Sequence, residues 1–213
     1  MITDVAALFV DSRGEYPRHF ATWFDEKRDA RSYVGELPVI AHPPCQRWCR
    51  LAGLVEARWG HKRGEDGGLF AFALETLRRV GGVLEHPAYS DAWAAYGLPR
   101  PPTGGGWVPG ANPGEWTCYV EQWRYGHRAK KATWLYVVGV RSVAPPELRF
   151  GLLRDTDAES GRTTTPILVS WCGNHTRLNG GKRERLGKKA AIATPPEFAA
   201  ELLRLARWAV TEC

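Results

Sequence analysis

The segment LPVIAHPPCQRWCR, at residues 37–50, decides how the rest of the chain is interpreted. Its apolar first half, bounded by turn-forming residues, predicts a short buried strand. Pro43 and Pro44 cannot continue a hydrogen-bonded ladder, so the backbone leaves the sheet at that point. Cys45 therefore follows the carboxyl end of a strand, which is the edge where ligands bind in open α/β sheets. Two interpretations remain open here: a reactive thiol, or a small buried side chain in a rigid turn.

The composition is that of one globular domain spanning residues 1–213. Hydrophobic residues make up 44% and charged residues 24% of the chain, which argues against a disordered or fibrous protein. The five cysteines form no Cys-x-x-Cys pair and are odd in number, so we expect a reducing cytoplasm and no disulfide framework. His42, Cys45 and Cys49 lack a second close pair of ligands, and we expect no metal site. No apolar stretch approaches the length that spans a bilayer.

Positive charge is concentrated toward the C-terminal end. The formal net charge is +6, from 29 Lys and Arg against 23 Asp and Glu. Residues 173–191 hold six basic residues and one acidic residue. Such a segment is typical of phosphate binding, although it also occurs as solvated surface. Ten tryptophans, several of them in polar or Gly/Pro-rich stretches, either line a groove or fill the core.

Hydrophobic periodicity and turn residues predict a series of further elements. In the first half of the chain they are a strand at 5–10 ending in a polar turn at 11–14, a helix at 69–80 begun by Asp66, and a strand at 83–84 running into Glu85. A Gly/Pro-rich loop at 99–116 follows, and then antiparallel strands at 117–122 and 133–140. The chain continues through a variable basic region at 141–191, with a further strand at 167–171, to a C-terminal helix. Thr194 and Glu197 predict a capping box for that helix. The series predicts an α/β, Rossmann-like sheet of reduced size, mostly parallel with an antiparallel edge pair.

Acidic residues follow the first part of the predicted sheet. Asp11 and Gly14 come immediately after the first strand, where an acid and a glycine suit a ribose or a nucleotide-like cofactor. Asp25 lies at a second acidic corner. The chain has no Gly-x-Gly-x-x-Gly pattern, so these residues are a weak dinucleotide signal.

Four segments carry a family resemblance in the same chain order. They are Pro-Pro-Cys-Gln at 43–46, Glu-His-Pro at 85–87, RAKKATWLY at 128–136 and IATPPEFA at 192–199. With them the chain resembles the DNA cytosine-5 methyltransferase family, whose nucleophile motif is Pro-Pro-Cys-Gln. The second segment resembles the family's Glu-Asn-Val motif, and the third its Gln-x-Arg-x-Arg motif. The fourth is similar in placement to the closing motif that helps to bind the methyl donor.

The resemblance implies a methyltransferase-type sheet and assigns roles to individual residues. Cys45 would be the nucleophile that adds to carbon 6 of a flipped pyrimidine, Glu85 would hydrogen-bond ring nitrogen 3, and Lys131 or Arg128 would stabilise the developing charge. S-adenosylmethionine would be the cofactor, near Asp11, Gly14, Asp25, Pro43 and Thr194. DNA, as a duplex with a flipped base or as a single strand, would contact Gln46, Arg47, Arg63, Lys182, Arg183 and Arg185.

The chain also departs from the family pattern. The family's glycine-rich donor loop is absent, and LFVDSRG stands at 8–14 in its place. His86 and Lys131 replace the usual Asn and Arg. Four interpretations stay open: a minimal methyltransferase of phage type in a bacterial cytoplasm, an enzyme that uses another one-carbon donor, a nucleic-acid-binding protein without catalysis, and a small hydrolase or transferase with a cysteine nucleophile.

Overall fold

The computed structural model describes residues 4–140, 142–152 and 186–211, and these form an α/β fold around one mixed sheet of seven strands. The strands are β1 (Ala6–Leu8), β2 (Trp23–Phe24), β3 (Val39–Ala41), β4 (Gly82–Pro87), β5 (Val108–Pro109), β6 (Glu115–Glu121) and β7 (Ala132–Val138). The helices are α1 (Tyr16–His19), α2 (Ala52–Trp59), α3 (Leu69–Val80), α4 (Asp91–Ala95), α5 (Lys188–Ile192) and α6 (Pro196–Val210), with single 3₁₀ turns at Ala30–Ser32 and Gln122–Tyr125.

The sheet has the order β2-β1-β3-β4-β7-β6-β5. The first four strands are parallel to one another, and β7, β6 and β5 pair in antiparallel fashion. After β1 the chain builds β2 on one side, and then crosses to place β3 on the other side of β1. This reversal makes a switch point between β1 and β3, which is where doubly wound sheets open a ligand crevice at the carboxyl ends of their strands.

Side-chain alternation along the strands separates the core into two layers. On one face, Ala6, Leu8 and Leu84 pack with the apolar side of α3. On the other face, Ala7 and Val83 pack with α6. Both helices are amphipathic, and each buries its apolar stripe against the sheet. The parallel strands are covered on both sides, which accounts for their uniformly apolar sequence.

Several predicted elements are confirmed. The helix at 69–80 is present, and Asp66 accepts hydrogen bonds from the backbone N–H groups of Gly68 and Phe70 at its start. The strands predicted at 117–122 and 133–140 are the antiparallel neighbours β6 and β7. The first strand is shorter than predicted, and the strand before Glu85 extends through Pro87. The strand predicted at 167–171 lies outside the described residues.

Two sequence predictions about the sheet need correction. The antiparallel part is a run of three strands, and β7 is internal because it lies between β4 and β6. The 99–116 loop contains the short strand β5, which pairs with β6 through Val108 and Pro109. Proline is tolerated there because β5 is the last strand of the sheet and its outer side needs no ladder partner.

The predicted capping box at the last helix is wrong. Helix α6 begins at Pro196, and Pro195 occupies the N-cap position without a side-chain cap hydrogen bond. Glu197 instead pairs with Arg149, with 2.8 Å between Oε2 and Nη1. Thr194 lies one residue before the N-cap, where its hydroxyl acts on the Tyr16 side chain and lowers the pKa of Tyr16. In the described part of the chain, no helix has the length and apolarity needed to cross a membrane.

The packing of β4 against β3 predicts an intolerant position at Gly82. Its φ is +128°, and a Cβ atom there would lie 2.0 Å from the carbonyl oxygen of Val39. We expect Gly82→Ala to lower the free energy of unfolding by about 3 kcal/mol or more, because backbone strain adds to the steric clash. Urea denaturation followed by circular dichroism measures this loss.

Gly53→Ala is the matched control for Gly82→Ala. Gly53 lies in α2, and no atom outside its local backbone approaches within 4 Å of a Cβ built there. The control should leave stability unchanged or raise it by up to about 1 kcal/mol. Equal effects of the two substitutions would contradict the close approach of β3 and β4.

Candidate active site

The turn that carries Cys45 is held firmly at the carboxyl end of β3. The carbonyl of Cys45 accepts hydrogen bonds from the N–H groups of Trp48, at 3.0 Å, and Cys49, at 2.9 Å. Trp48 is buried beside Phe70, and its indole N–H donates to Asp66 at 2.8 Å. These contacts tie the turn to the start of α3, so the thiol is presented by an anchored segment.

A polar cluster lies next to this turn, on the face of the sheet that α6 covers. Strand alternation places Glu85 after Val83 on that face, and the neighbouring elements add His42, Gln122 and Thr133. The Glu85 carboxylate accepts from His42 Nδ1 at 3.0 Å through Oε2, and from Gln122 Nε2 at 2.9 Å through Oε1. Gln122 Nε2 also lies 2.9 Å from the Thr133 hydroxyl. Side chains from three other elements thus converge on the buried carboxylate of β4.

Glu85 is ionised despite its burial. Loss of water acts to raise the pKa of Glu85, but the hydrogen bond from His42 and the positive charge of Lys131 outweigh it and lower the pKa to about 2. The carboxylate is therefore a hydrogen-bond acceptor at neutral pH. Any proton that it gives to a substrate must first reach it from another group.

Lys131 is the cation of the site. It is half-buried directly before β7, and its ammonium group donates to the carbonyl oxygens of Ile192, at 3.0 Å, and Ala193, at 2.9 Å. Burial lowers the pKa of Lys131, while the negative charges of Glu85 and Cys45 act in the opposite direction. The segment before α6 therefore holds the ammonium group near both of these residues.

The resting state of Cys45 is the neutral thiol. Burial, together with the charges of Cys49 and Glu85, raises the pKa of Cys45 to about 11, and Lys131 opposes this shift. The thiol thus shares its electrostatic environment with both Glu85 and Lys131. Since the thiolate is the reactive form, Cys45 must lose its proton when a substrate is bound.

Backbone strain accumulates at the same edge of the sheet. Four non-glycine residues in the described ranges have positive φ, and three of them lie within two residues of a strand end at this edge: Phe9 at 59°, Tyr89 at 66° and Lys131 at 39°. Each such residue costs on the order of 1–3 kcal/mol, and such residues cluster at functional sites. The strained backbone at Lys131 lies directly before β7.

The remaining residues of the resemblance are divided between this cluster and other places. Arg128 is exposed, so Lys131 is the cation that the fold brings to Cys45 and Glu85. His86 lies on the opposite face of β4, packed between Phe70 and Trp93. Burial lowers the pKa of His86 to about 4, so the ring is a neutral core side chain.

The residues predicted to hold a methyl donor lie around the switch point, apart from Thr194, which bonds Tyr16. Asp11 is exposed after β1 and accepts the Arg13 N–H at 2.9 Å. Asp25 follows β2 and accepts from the N–H groups of Lys27 and Arg28. Pro43 is buried, and Gly14 closes a tight turn onto the Asp11 carbonyl at 2.9 Å. These are self-contained turns, and the described residues after β1 do not form the glycine-rich cradle that the resemblance implies.

The predicted nucleic-acid contacts have mixed positions. Gln46 is exposed and Arg47 is half-buried, both beside Cys45. Arg63 is exposed and pairs with Asp91, with 2.7 Å between Nε and Oδ2. Lys182, Arg183 and Arg185 lie outside the described residues. The structure adds Arg50 and Arg100, which lie over the ring of Tyr89 at 5.8 Å and 5.6 Å.

Sequence reasoning missed most of the groups around Glu85. The sequence presents His42 as a partial zinc ligand or as a possible partner of a cysteine nucleophile, and its place at the end of β3, directly before Pro43, is the signal that marks it. Gln122 and Thr133 stand at facing ends of β6 and β7 and carry no local motif. Tyr16 lies in a stretch that reads as irregular. No group of three or more metal-ligating side chains is assembled within the described ranges.

Comparison with known proteins finds no match for this chain. No protein-family model, curated protein or solved structure matches the chain. The functional interpretation therefore depends on the chemistry of the Cys45, Glu85 and Lys131 site.

The environment of Cys45 predicts how fast its thiol is alkylated. With a pKa of about 11, its reaction with iodoacetamide should be slow at pH 7 and should accelerate as the pH rises toward 11. Glu85→Gln removes a negative charge and should speed alkylation, whereas Lys131→Met should slow it. Each change should be no larger than about tenfold, the effect of one pKa unit.

Trypsin and mass spectrometry make this measurement specific. Cleavage after Arg47 separates Cys45 from Cys49, so the peptide containing Cys49 is an internal reference in each digest. Equal alkylation rates of Cys45 in wild type, Glu85→Gln and Lys131→Met would show that the three side chains do not share one electrostatic environment.

Proposed function

We propose that this chain is a transferase that adds a one-carbon group to carbon 5 of cytosine in DNA, with Cys45 as nucleophile. The observation that carries the proposal is the convergence of Cys45, Glu85 and Lys131, from three separate elements, on one edge of the sheet. The thiol is coupled electrostatically to both charged groups. A thiol, a buried carboxylate and a cation are the groups that this chemistry needs.

The first step forms a bond between the Cys45 sulfur and carbon 6 of the base. The thiol loses its proton, and the electron pair of the 5,6 double bond moves toward carbon 5 and the N3–O2 part of the ring. Carbon 5 is not nucleophilic in free cytosine, and the addition makes it so because the ring becomes an enamine. The positive charge of Lys131 stabilises the thiolate that forms as the proton leaves, and it also stabilises the negative charge that develops on the ring.

Glu85 carries the proton that this step releases. It is ionised at rest, so it can accept the proton of Cys45 and donate it to ring nitrogen 3. One S–H bond breaks, one S–C bond and one N–H bond form, and the net charge of the site is unchanged. Carbon 5 then attacks the one-carbon electrophile, loses its own proton to a base, and expels the Cys45 thiolate to restore the double bond.

The donor is proposed by chemical class only. S-adenosylmethionine is the first candidate because of the family resemblance, and another one-carbon donor is the second because the turn at Asp11–Gly14 does not match a glycine-rich cradle. The identity of the donor does not affect the activation of carbon 5, since thiol addition precedes transfer. Carbon 5 activation can therefore be tested without any donor.

DNA is the proposed partner because the site is bordered by basic and aromatic side chains. Arg47 lies beside Cys45, and Arg50 and Arg100 meet at Tyr89, close to the end of β4. Guanidinium groups bind phosphate oxygens, and aromatic rings stack on unpaired bases. A base in a duplex must be flipped out to reach Cys45, whereas a single strand presents it directly.

The nucleophile is tested by hydrogen exchange at carbon 5. Thiol addition lets carbon 5 exchange its hydrogen with solvent, so an oligonucleotide deuterated at that carbon should lose deuterium in H₂O. We expect wild type to catalyse this loss and Cys45→Ser to abolish it, as measured by mass spectrometry of the nucleosides. Trapping on DNA containing 5-fluorocytosine, with S-adenosylmethionine and then with other one-carbon donors, should yield a covalent adduct through Cys45.

The same assay separates the main alternative, a nucleic-acid-binding protein without catalysis. If wild type and Cys45→Ser bind the oligonucleotide equally and neither gives exchange or adduct, the transferase proposal is wrong and the binding function is favoured. Binding is measured by fluorescence anisotropy at two salt concentrations, because phosphate contacts are salt-dependent.

Glu85 and Glu121 form a matched pair for testing the carboxylate. Both are buried, but Glu121 lies on the α3 face, where it accepts from the Tyr119 hydroxyl and pairs with Lys130, each at 2.8 Å. We expect Glu85→Gln to slow carbon 5 exchange by about 100-fold or more, because the amide cannot relay a proton. Glu121→Gln should lower stability but exchange at close to the wild-type rate. Equal losses of activity would mean that Glu85 acts only through folding.

A further inference from the structure

His42 bridges two buried side chains through its two ring nitrogens. Nδ1 lies 3.0 Å from Glu85 Oε2, and Nε2 lies 2.8 Å from the Tyr16 hydroxyl. The ring also packs against Tyr16, with 4.9 Å between centroids. No segment of the resemblance contains His42 or Tyr16, so the function proposed above gives neither of them a role.

The hydrogen bonds of this bridge run in one direction. Glu85 is ionised and can only accept, so His42 Nδ1 carries a hydrogen and donates to it. Burial and the charge of Glu85 raise the pKa of Tyr16 well above its ordinary value, while a hydrogen bond from Thr194 acts the other way. Tyr16 thus stays a phenol, and its hydroxyl is hydrogen-bonded to Nε2 of His42.

We propose that His42 is a positioning residue for Glu85: its Nδ1–H fixes the orientation of the carboxylate and keeps it ready to accept a proton, and the Tyr16 hydroxyl at Nε2 holds the ring in place. The proposal rests on the proposed function for its catalytic consequence. The link between His42 and Glu85 itself is independent of the substrate. His42 follows β3 and Glu85 lies in β4. The hydrogen bond between them therefore also connects the end of β3, which leads to Cys45, with β4.

Other charged and titratable groups also face Glu85. Lys131 approaches from the start of β7 and Cys45 from the turn after β3, while His86, on the opposite face of β4, acts on Glu85 only through its charge. Gln122 supplies a neutral donor from the end of β6. The hydrogen bond from His42 and the charge of Lys131 are the main effects that lower the pKa of Glu85, so loss of His42 should shift the titration of Glu85 upward.

The titration of Glu85 tests the link directly. In protein labelled with ¹³C-glutamate, with the Glu85 signal assigned from Glu85→Gln, we expect His42→Leu and His42→Gln to raise the pKa of Glu85, because neither places a donor at Nδ1. His42→Asn, whose amide reaches that position, should keep the pKa low. Tyr16→Phe should change it little. An unchanged Glu85 titration in His42→Leu and His42→Gln overturns the proposal.

Carbon 5 exchange tests the catalytic consequence. His42→Leu and His42→Gln should slow exchange by about tenfold or more at pH 7 and move the acidic limb of the pH profile to higher pH, with DNA affinity unchanged. His42→Asn should recover most of the rate. If wild type shows no exchange, the proposed function fails while the Glu85 titration still decides the His42 link. If wild type catalyses exchange but the His42 variants leave the pKa of Glu85 unchanged, the His42 link is wrong and the proposed function stands.

Discussion

The ionised Glu85 carboxylate is the constraint on which the site depends. An unpaired charge in a protein interior is costly, and it persists only where hydrogen bonds and opposite charge replace the lost water. His42, Gln122 and Lys131 supply these, and each belongs to a different part of the chain. The carboxylate therefore holds the ends of β3, β4, β6 and β7 in one arrangement.

The state of Cys45 follows from this constraint. Glu85 disfavours the thiolate and Lys131 favours it, and with burial the balance leaves a neutral thiol at rest. A neutral thiol is protected from unwanted oxidation and alkylation, since both proceed through the thiolate. Transfer of the Cys45 proton through Glu85 to ring nitrogen 3 of cytosine would then make formation of the thiolate depend on a bound nucleobase.

Alternation along the strands assigns neighbouring residues to different tasks. Glu85 and His86 are adjacent in β4, yet one belongs to the polar cluster under α6 and the other packs with Phe70 and Trp93 under α3. Glu121 and Gln122 divide in the same way at the end of β6. A shift of one residue in strand register would exchange these environments, so the register of β4 against β7 is part of the chemistry.

The sequence by itself determined the local elements and the place of Cys45 in a turn after a strand, because helix periodicity, proline turns and strand ends are set by neighbouring residues. It predicted helix α3, the antiparallel pair β6 and β7, and the position of Cys45 after a strand end, whereas Glu85, predicted to follow a strand, lies within β4. Only the tertiary structure decided the partners of Glu85, the contact between His42 and Tyr16, and the start of α6 at Pro196 without a side-chain cap. These features depend on contacts between residues far apart in the chain, such as His42 and Tyr16, which are 26 residues apart, and Glu85 and Thr133, which are 48 residues apart. No local pattern encodes such contacts.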